Sequence, residues 1–561
     1  MKSIFFGSIA VLGLTAAYLA VGWSSPQSVG YWRDDATYVS NARALAEGRS
    51  YRRVEMPEEP LETKYPIAYP AALSLAFRLV PSYPENLPLL LLFGALGAAC
   101  AIVLAGFYWR AMWETPTREV WMVGVLAAAS PVFVAFVRYT MSDLFYAGIA
   151  IAALVCADCL ARGSLRRERG FVALAALLAA AAVLSRGIGV SLAAAVVLAP
   201  LLRRRFDLAA IALGVALACL APWWVWQSGA VVENASLEMH RLLALDLSYA
   251  PWLPHGVEEI VRVVLQNIGR LLLGLGYFQL GIPGEFVGRA IIEGGARLVF
   301  AHVLFALAMA AVVTGFVASA RRRLGALHLY ALAYFAITLA WPFSPHRFLV
   351  PWTPFLLLFL LWGIRSATAF VGRERAGRVA ATVVAGFLAL AFLIEDAKLL
   401  GSTESHYVMR ERPAGVDFSE LRSLERWVRD FTEESDRIAS PWPGGVFLAT
   451  GRRGYGAWPD KRPYEVSHGP ERSFADFYSI PAPSESEFRS RDIRENLLAV
   501  YRAANVDYYV AYTGYSDTPH IERLIRDHPA AFTLQFTSPK KAIRVYRVHP
   551  SPADPQENAT P

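Results

Sequence analysis

The chain has 561 residues, of which 55% are hydrophobic and 18% charged, and it carries a net charge of +7 at neutral pH. A soluble protein has about 25% charged residues, so the soluble globular class is excluded. The basic residues cluster in short loops between apolar runs, a mark of membrane topology rather than of a polyanion-binding patch, and nucleic acid is excluded as a partner.

The first apolar run, residues 4–23, is long enough to cross a hydrocarbon core about 30 Å thick. Lys2 ahead of it also suits a signal peptide. The run is long for a cleavable segment, however, and no convincing small-x-small cleavage site precedes the acids that follow, so it is read as the first anchor. The next segment contains the adjacent acids Asp34 and Asp35, then an amphipathic helix predicted from Ala36 to Glu47 and closed by Gly48, then Lys64-Tyr65-Pro66.

Ten further apolar segments follow, at 88–108, 119–137, 143–161, 171–185, 188–202, 207–226, 298–319, 327–343, 348–364 and 379–396, giving about eleven transmembrane helices. The basic loops Arg110 to Arg118, Arg162 to Arg169, Arg203-Arg204-Arg205, Arg321-Arg322-Arg323 and Arg365 to Arg378 all fall on one side, together with Lys2. That side is predicted to be cytoplasmic. The amino terminus then lies inside, and the carboxyl end and the long loops 24–87 and 227–297 lie outside. Within the second loop, Ile268 to Ile282 is apolar but short and Gly-broken, and reads as an interfacial or re-entrant piece.

Beyond Asp396 the chain becomes charged and Pro-rich. Residues 418–438 form an amphipathic helix pattern with Leu421, Leu424, Trp427 and Val428 on one face. Strand-like runs are expected at Gly445 to Thr450, Val506 to Tyr512, Phe532 to Phe536 and Ala542 to Val548, with a helix at Leu497 to Ala504. The predicted organisation is a transmembrane catalytic domain over 1–400, an extracytoplasmic α/β domain over 401–548 and a disordered tail over 549–561. Cys100, Cys156, Cys159 and Cys219 all lie in apolar segments without zinc or disulfide spacing, and Cys156 and Cys159 read as packing residues.

Polar groups collect in the tight outer turns. Acids at a helix start cap free N–H groups, which accounts for one of Asp34 and Asp35 more easily than for both. Functionally, one carboxylate would deprotonate a hydroxyl while the other orients it or holds a cation, and their proximity would push one pKa up. Asp143, in the turn Arg138-Tyr139-Thr140-Met141-Ser142-Asp143, either caps the next helix or joins the same cavity. Lys64, Arg138, Arg186 and Arg347 oppose the overall Arg bias. Each alone suits snorkelling to headgroups; together they suit a clamp for phosphate or diphosphate. His346, Tyr65 and Tyr139 are accessory candidates, and no His pair has metal-binding spacing.

The first loop, with Arg33-Asp34-Asp35-Ala36-Thr37-Tyr38, Ala42-Arg43-Ala44-Leu45-Ala46-Glu47-Gly48 and Lys64-Tyr65-Pro66, resembles that of bacterial GT-C glycosyltransferases. More narrowly, it is similar to the protein O-mannosyltransferase and aminoarabinose-transferase-like superfamily. Met141-Ser142-Asp143, Arg347-Phe348-Leu349-Val350-Pro351 and the C-terminal Phe447 to Arg452 and Asp507 to Val510 stretches resemble later motifs of that group. The second acid of the pair is Asp35 where the group usually has Glu.

The resemblance implies a GT-C fold on a multi-pass protein of the bacterial inner membrane. It also implies an inverting transferase that takes sugar from a polyprenyl-phosphate donor. Its acceptor would be a hydroxyl of lipid A, a surface or cell-wall glycan, or a protein. Asp34 would be the base, Asp143 a second acidic site, and Lys64 with Arg347 the donor-phosphate contacts; Arg138 and Arg186 join the phosphate clamp on their placement alone. A divalent cation, held by Asp34, Asp35 and Asp143 if present, is left open because relatives differ. The alternatives are a lipid-linked sugar flippase, which should show paired repeats and polar broken helices at mid-membrane, and a membrane anchor that displays the C-terminal domain.

Overall fold

The computed structural model describes residues 29, 33–161, 165–235, 256–276, 280, 295–342, 345–370, 372–401, 418–440, 443–456, 498, 501–502, 504–512 and 524–549. The expected first anchor at 4–23 and the tail beyond His549 lie outside these residues. Two helices precede the long apolar ones: α1 (Arg33–Ala46) and α2 (Ala68–Leu79). Then come α3 (Leu87–Trp113), α4 (Thr117–Ala128), α5 (Pro131–Val137), α6 (Ser142–Leu154), α7 (Leu165–Ser185), α8 (Val190–Leu202) and α9 (Phe206–Ala235). They are followed by α10 (Val257–Gly274), α11 (Gly295–Arg322), α12 (Ala326–Ala340), α13 (Thr353–Phe370) and α14 (Glu374–Gly401).

Among the described residues, seven helices are long and apolar enough to cross a membrane, or eight if the bent pair α4 and α5 counts as one span. Two shorter apolar helices, Gly187–Leu202 and Ala326–Ala340, fall at the segments expected at 188–202 and 327–343. The span expected to run straight over 119–137 instead bends by 52° between α4 and α5. Ser130-Pro131 lies at the break, and Pro131 begins the second piece, where its missing N–H costs nothing. The short segment expected at 171–185 begins earlier, at Leu165.

Helices α3 and α6 approach closely through glycines. A Cβ on Gly97 would collide with the Leu144 carbonyl, and one on Gly148 would meet the Gly97 carbonyl at 2.9 Å. Small residues let helix backbones touch in an apolar medium. The contact at Leu144 also fixes the first turn of α6, which carries Asp143.

The second long loop contains more helix than expected. Helix α10 begins at Val257 rather than Ile268 and buries Gln266, Asn267 and Arg270, while Val257, Val261, Leu265 and Ile268 are exposed. Val263 and Leu271 are buried beside these polar groups, while Glu258 and Arg262 pair at 2.8 Å on the exposed side. Asn267 Nδ2 donates to the carbonyls of Leu339 at 2.9 Å and Trp341 at 2.7 Å, closing the C-terminal end of α12.

The C-terminal α/β unit has α15 (Phe418–Phe431), β1 (Ile438–Ala439), α16 (Pro443–Thr450), β2 (Tyr508–Tyr512), β3 (Phe532–Thr537) and β4 (Ile543–Val548). The sheet order is β1-β2-β4-β3, with β1 parallel to β2 and the other pairs antiparallel. Leu424 and Val428 of α15 pack on Tyr508, Val510, Ile543 and Val545. Tyr509, Tyr546 and Val548 point to the opposite face with Tyr455 and Tyr501, as strand alternation requires. Helix α15 ends at Phe431, short of the expected 438. Leu498, Tyr501 and Arg502 are helical, within the helix expected at Leu497 to Ala504.

The expected strand at Gly445 to Thr450 is corrected: the segment is helix α16. Its consecutive apolar residues fit either structure on sequence alone. They are buried on different sides, Val446 against the sheet and Phe447 and Leu448 in the core of the membrane helices.

Candidate active site

Four charged side chains from four separate stretches of chain meet where several helices end. Asp34 lies in the first turn of α1 and Asp143 in the first turn of α6. Arg186 occupies the break between α7 and the 3-10 turn Gly187–Gly189 that opens α8. Arg347 lies in a second 3-10 segment, Pro345–Trp352, that leads into α13.

Arg347 Nη1 donates to Asp34 Oδ2 at 2.9 Å, and its Nη2 reaches Asp143 Oδ2 at 3.4 Å. Arg186 Nη1 pairs with the same Asp143 oxygen at 2.6 Å and approaches Ser142 Oγ at 3.3 Å. Ser142 Oγ in turn donates to the Tyr38 hydroxyl at 3.2 Å. Tyr65 closes the other side, its hydroxyl donating to Asp34 Oδ1 at 2.6 Å.

Asp143 is fully buried, whereas the Asp34 and Arg347 side chains keep 23% and 19% exposure. The reachable groups of the cluster are therefore Asp34 and Arg347, with Asp143 behind them. Asp143 Oδ1 is buried without a hydrogen-bond partner. The bonded set of two acids and two arginines is formally neutral. Lys64, half-buried with its Nζ 5.5 Å from the Tyr65 ring centroid, adds positive charge beside it.

Burial pushes the Asp34 carboxyl up, but the Arg347 guanidinium, the Tyr65 hydroxyl and the Lys64 ammonium outweigh it and hold the group below the usual carboxylate range. Asp34 is therefore not a raised member of the pair. Successive helix residues point about 100° apart, and Asp35 is fully buried, with Oδ1 2.6 Å from the N–H of Ala36. The ion pair with Arg347 thus belongs to Asp34 alone of the two.

The remaining expected residues divide. Tyr139 is buried in the core of the membrane helices, and Arg138 stands half-buried at the end of α5. His346 turns toward α10, where a Cβ on Gly274 would lie 2.7 Å from its Nδ1. Asp34, Asp35 and Asp143 do not fit a shared cation site, since the first and third each bind a guanidinium and the second turns to its own helix. Among the described residues no three His, Cys, Asp or Glu side chains gather as a metal site.

Tyr38 and Ser142 belong to the cluster but do not stand out in the sequence. Tyr38 lies four residues after Asp34, on the same face of α1, and that spacing is the signal that would have found it. Its ring meets those of Tyr65 and Tyr69 edge-on at 5.1 Å and 5.3 Å, which walls the base of the site with aromatics.

No protein-family model and no curated protein matches the sequence. Among solved structures, ArnT from Cupriavidus metallidurans in the apo state superimposes with a TM-score of 0.57 at 13% identity, over 97% of this chain and 98% of that one. The same protein bound to undecaprenyl phosphate gives 0.49 at 14% identity, over 99% and 100% of the two chains. The oligosaccharyltransferase of Archaeoglobus fulgidus in its apo form gives 0.47 at 14%, over 98% of this chain and 75% of that one. At such identity the likeness to apo ArnT is one of fold: this chain is a multi-pass helical membrane protein with the GT-C fold.

Proposed function

We propose that this protein is an inverting glycosyltransferase that moves a sugar from a polyprenyl-phosphate donor to a hydroxyl acceptor at the outer face of a bacterial inner membrane. The observation that carries this reading is the Asp34 carboxylate, kept ionised and partly exposed, in direct contact with the equally accessible Arg347. A transferase that uses a lipid-phosphate donor needs a base for the acceptor and a cation for the leaving phosphate, side by side at the membrane surface. The fold shared with ArnT supports the same reading.

In this reading the donor phosphate docks beside Lys64 and Arg347 while its prenyl chain stays in hydrocarbon. The acceptor hydroxyl gives its proton to Asp34 as its oxygen attacks the anomeric carbon. The bond from that carbon to the phosphate oxygen breaks, and its electron pair leaves with polyprenyl phosphate. Lys64 and Arg347 stabilise the charge that develops there, most strongly where water is excluded.

The resting ion pair makes Asp34 a weak base, and the donor relieves this. A phosphate that shares Arg347 withdraws part of the positive charge from Asp34 and adds negative charge nearby, and both effects raise the carboxylate's proton affinity. Base strength thereby rises only when a leaving group is in place. The acceptor is a lipid A, surface-glycan, cell-wall or protein hydroxyl.

The test is incubation of the purified protein and its Asp34→Asn variant with labelled polyprenyl-phosphate sugars. Label transfer or donor hydrolysis by the parent, lost in the variant, is the expected outcome. Donor binding without turnover in the parent would favour a flippase instead.

A further inference from the structure

The loop that carries Asp34 and the C-terminal α/β unit exchange core residues. Met56, in the loop after α1, is fully buried in the C-terminal unit's cluster with Ala439, Tyr455 and Tyr509. In the opposite direction, Phe447 and Leu448 of α16 are buried in the cluster that includes Ala36 and Val39 of α1. Polar contacts reinforce the exchange. The Gly454 N–H donates to the Glu55 carbonyl at 2.9 Å, the Tyr455 hydroxyl donates to Glu58, and Arg453 pairs with Glu59 at 2.8 Å.

The segment between these contacts is braced against α1. Residues 51–62 fold back on themselves, with Glu62 N–H on the Tyr51 carbonyl at 2.9 Å and Arg53 N–H on the Pro60 carbonyl at 2.9 Å. Glu62 and Asn41 are both fully buried, and Asn41 Nδ2 donates to Glu62 Oε2 at 3.1 Å. Nearer the site the contact is direct. A Cβ on Gly444 would stand 3.0 Å from the Ala36 Cβ and 3.4 Å from its carbonyl carbon. Further along α1, the Arg43 guanidinium covers the Phe447 ring at 5.6 Å.

We infer that the C-terminal unit sets the position of the proposed base, with Gly444 as the positioning residue whose lack of a side chain lets α16 seat against the first turn of α1. Ala36 lies two residues beyond Asp34 in that turn, so a displacement at Ala36 moves the carboxylate relative to Arg347. A Cβ at 444 would need Ala36 to give by a few tenths of an ångström and a larger side chain by more, and misplacement by about 1 Å costs on the order of a hundredfold in rate. The inference rests on the transferase reading for its kinetic consequence; the packing itself does not depend on it.

The experiment compares parent, Gly444→Ala, Gly444→Val, and Gly444→Ala combined with Ala36→Gly, in sugar transfer and in hydrogen–deuterium exchange of residues 33–46. The expected result is a kcat loss of several-fold for Gly444→Ala and about tenfold to a hundredfold for Gly444→Val. Donor KM should stay near the parent value, and exchange should rise in α1 but not in α3 or α13. Ala36→Gly, which removes the Cβ that the new methyl meets, should recover most of the Gly444→Ala loss. Parent-like kcat and parent-like exchange in Gly444→Val would overturn the inference, as would a Gly444→Ala loss that Ala36→Gly leaves untouched. An inactive parent would count against the transferase reading, and the exchange of α1 would still decide whether α16 holds it.

Discussion

Arg347 bonds Asp34 at 2.9 Å across a sequence separation of 313 residues, so the short connection between α12 and α13 completes a site begun in the first long loop. Replacing Asp34 with Asn keeps an oxygen for Tyr65 and Arg347 but removes the proton acceptor. Transfer is expected to fall by about two to four orders of magnitude, with expression and melting temperature close to the parent's. Asp35→Asn, at a residue bonded to its own helix, should show the reverse pattern: lower stability and a much smaller loss of kcat per folded molecule. Single-turnover assays on both variants, normalised to folded protein, check the assignment.

The lowered Asp34 value fixes a pH dependence. A carboxyl whose folded pKa lies below its ordinary 3.8 contributes stability that is fully present above that value and lost as pH falls through the folded one. The ion pair therefore contributes fully throughout the neutral range, and the acid limb of kcat/KM should lie below the ordinary carboxylate value. With donor bound, Arg347 is shared with phosphate, and the acid limb of kcat should stand at higher pH than that of kcat/KM. Profiles of both quantities at fixed ionic strength test this. Coincident limbs would argue that the donor phosphate does not contact Arg347.

Asp143 is the costliest charge in the site, being fully buried and held mainly by Arg186 at 2.6 Å. Arg186→Met leaves that carboxylate with Arg347 at 3.4 Å. Breaking one side of a buried pair costs about 3–5 kcal/mol, and a large drop in the melting temperature in detergent is expected. Adding Asp143→Asn removes the stranded charge, so the double variant should melt above Arg186→Met alone. A double variant that melts lower would show that the two residues are not coupled as described.

Much of this was readable from sequence because it depends on where polar residues interrupt apolar runs. Asp143, Arg186 and Arg347 each sit at the end of an apolar segment on the side with few arginines, Asp34 lies beyond the first such segment, and that placement together with the resemblance of the motifs pointed to one shared cavity. Direction was not readable. Asp34 and Asp35 are neighbours in the chain but point apart on α1, so adjacency alone did not tell which of them meets Arg347. Tyr38 and Ser142 are ordinary residues until their neighbours are known. Helix α16 was read as a strand because its apolar residues serve two cores, and no local pattern encodes two burial directions. Met56 was silent for the same reason, since its partners lie in the C-terminal unit.

At the other end of the span that begins with Ser142, a buried acid has a purely structural task, and this gives a control for the site assignments. Asp158 lies in a π-helical turn, Val155–Leu160, which continues α6 and places the carboxylate against the start of α12. Its oxygens accept the N–H groups of Ala326 at 2.9 Å and Leu327 at 3.2 Å and the Tyr108 hydroxyl at 2.7 Å. Asp158→Ala removes the cap and strands a buried hydroxyl, at a cost of roughly 2–4 kcal/mol. The span rises about 24 Å between Ser142 and Asp158, so the folded fraction should keep parent-like kcat and donor KM. Melting temperature and kinetics on the same preparation separate the effects. A loss of kcat per folded molecule comparable to that of Asp34→Asn would mean that the far end of α6 is coupled to the site, and that Asp158 does more than cap a helix.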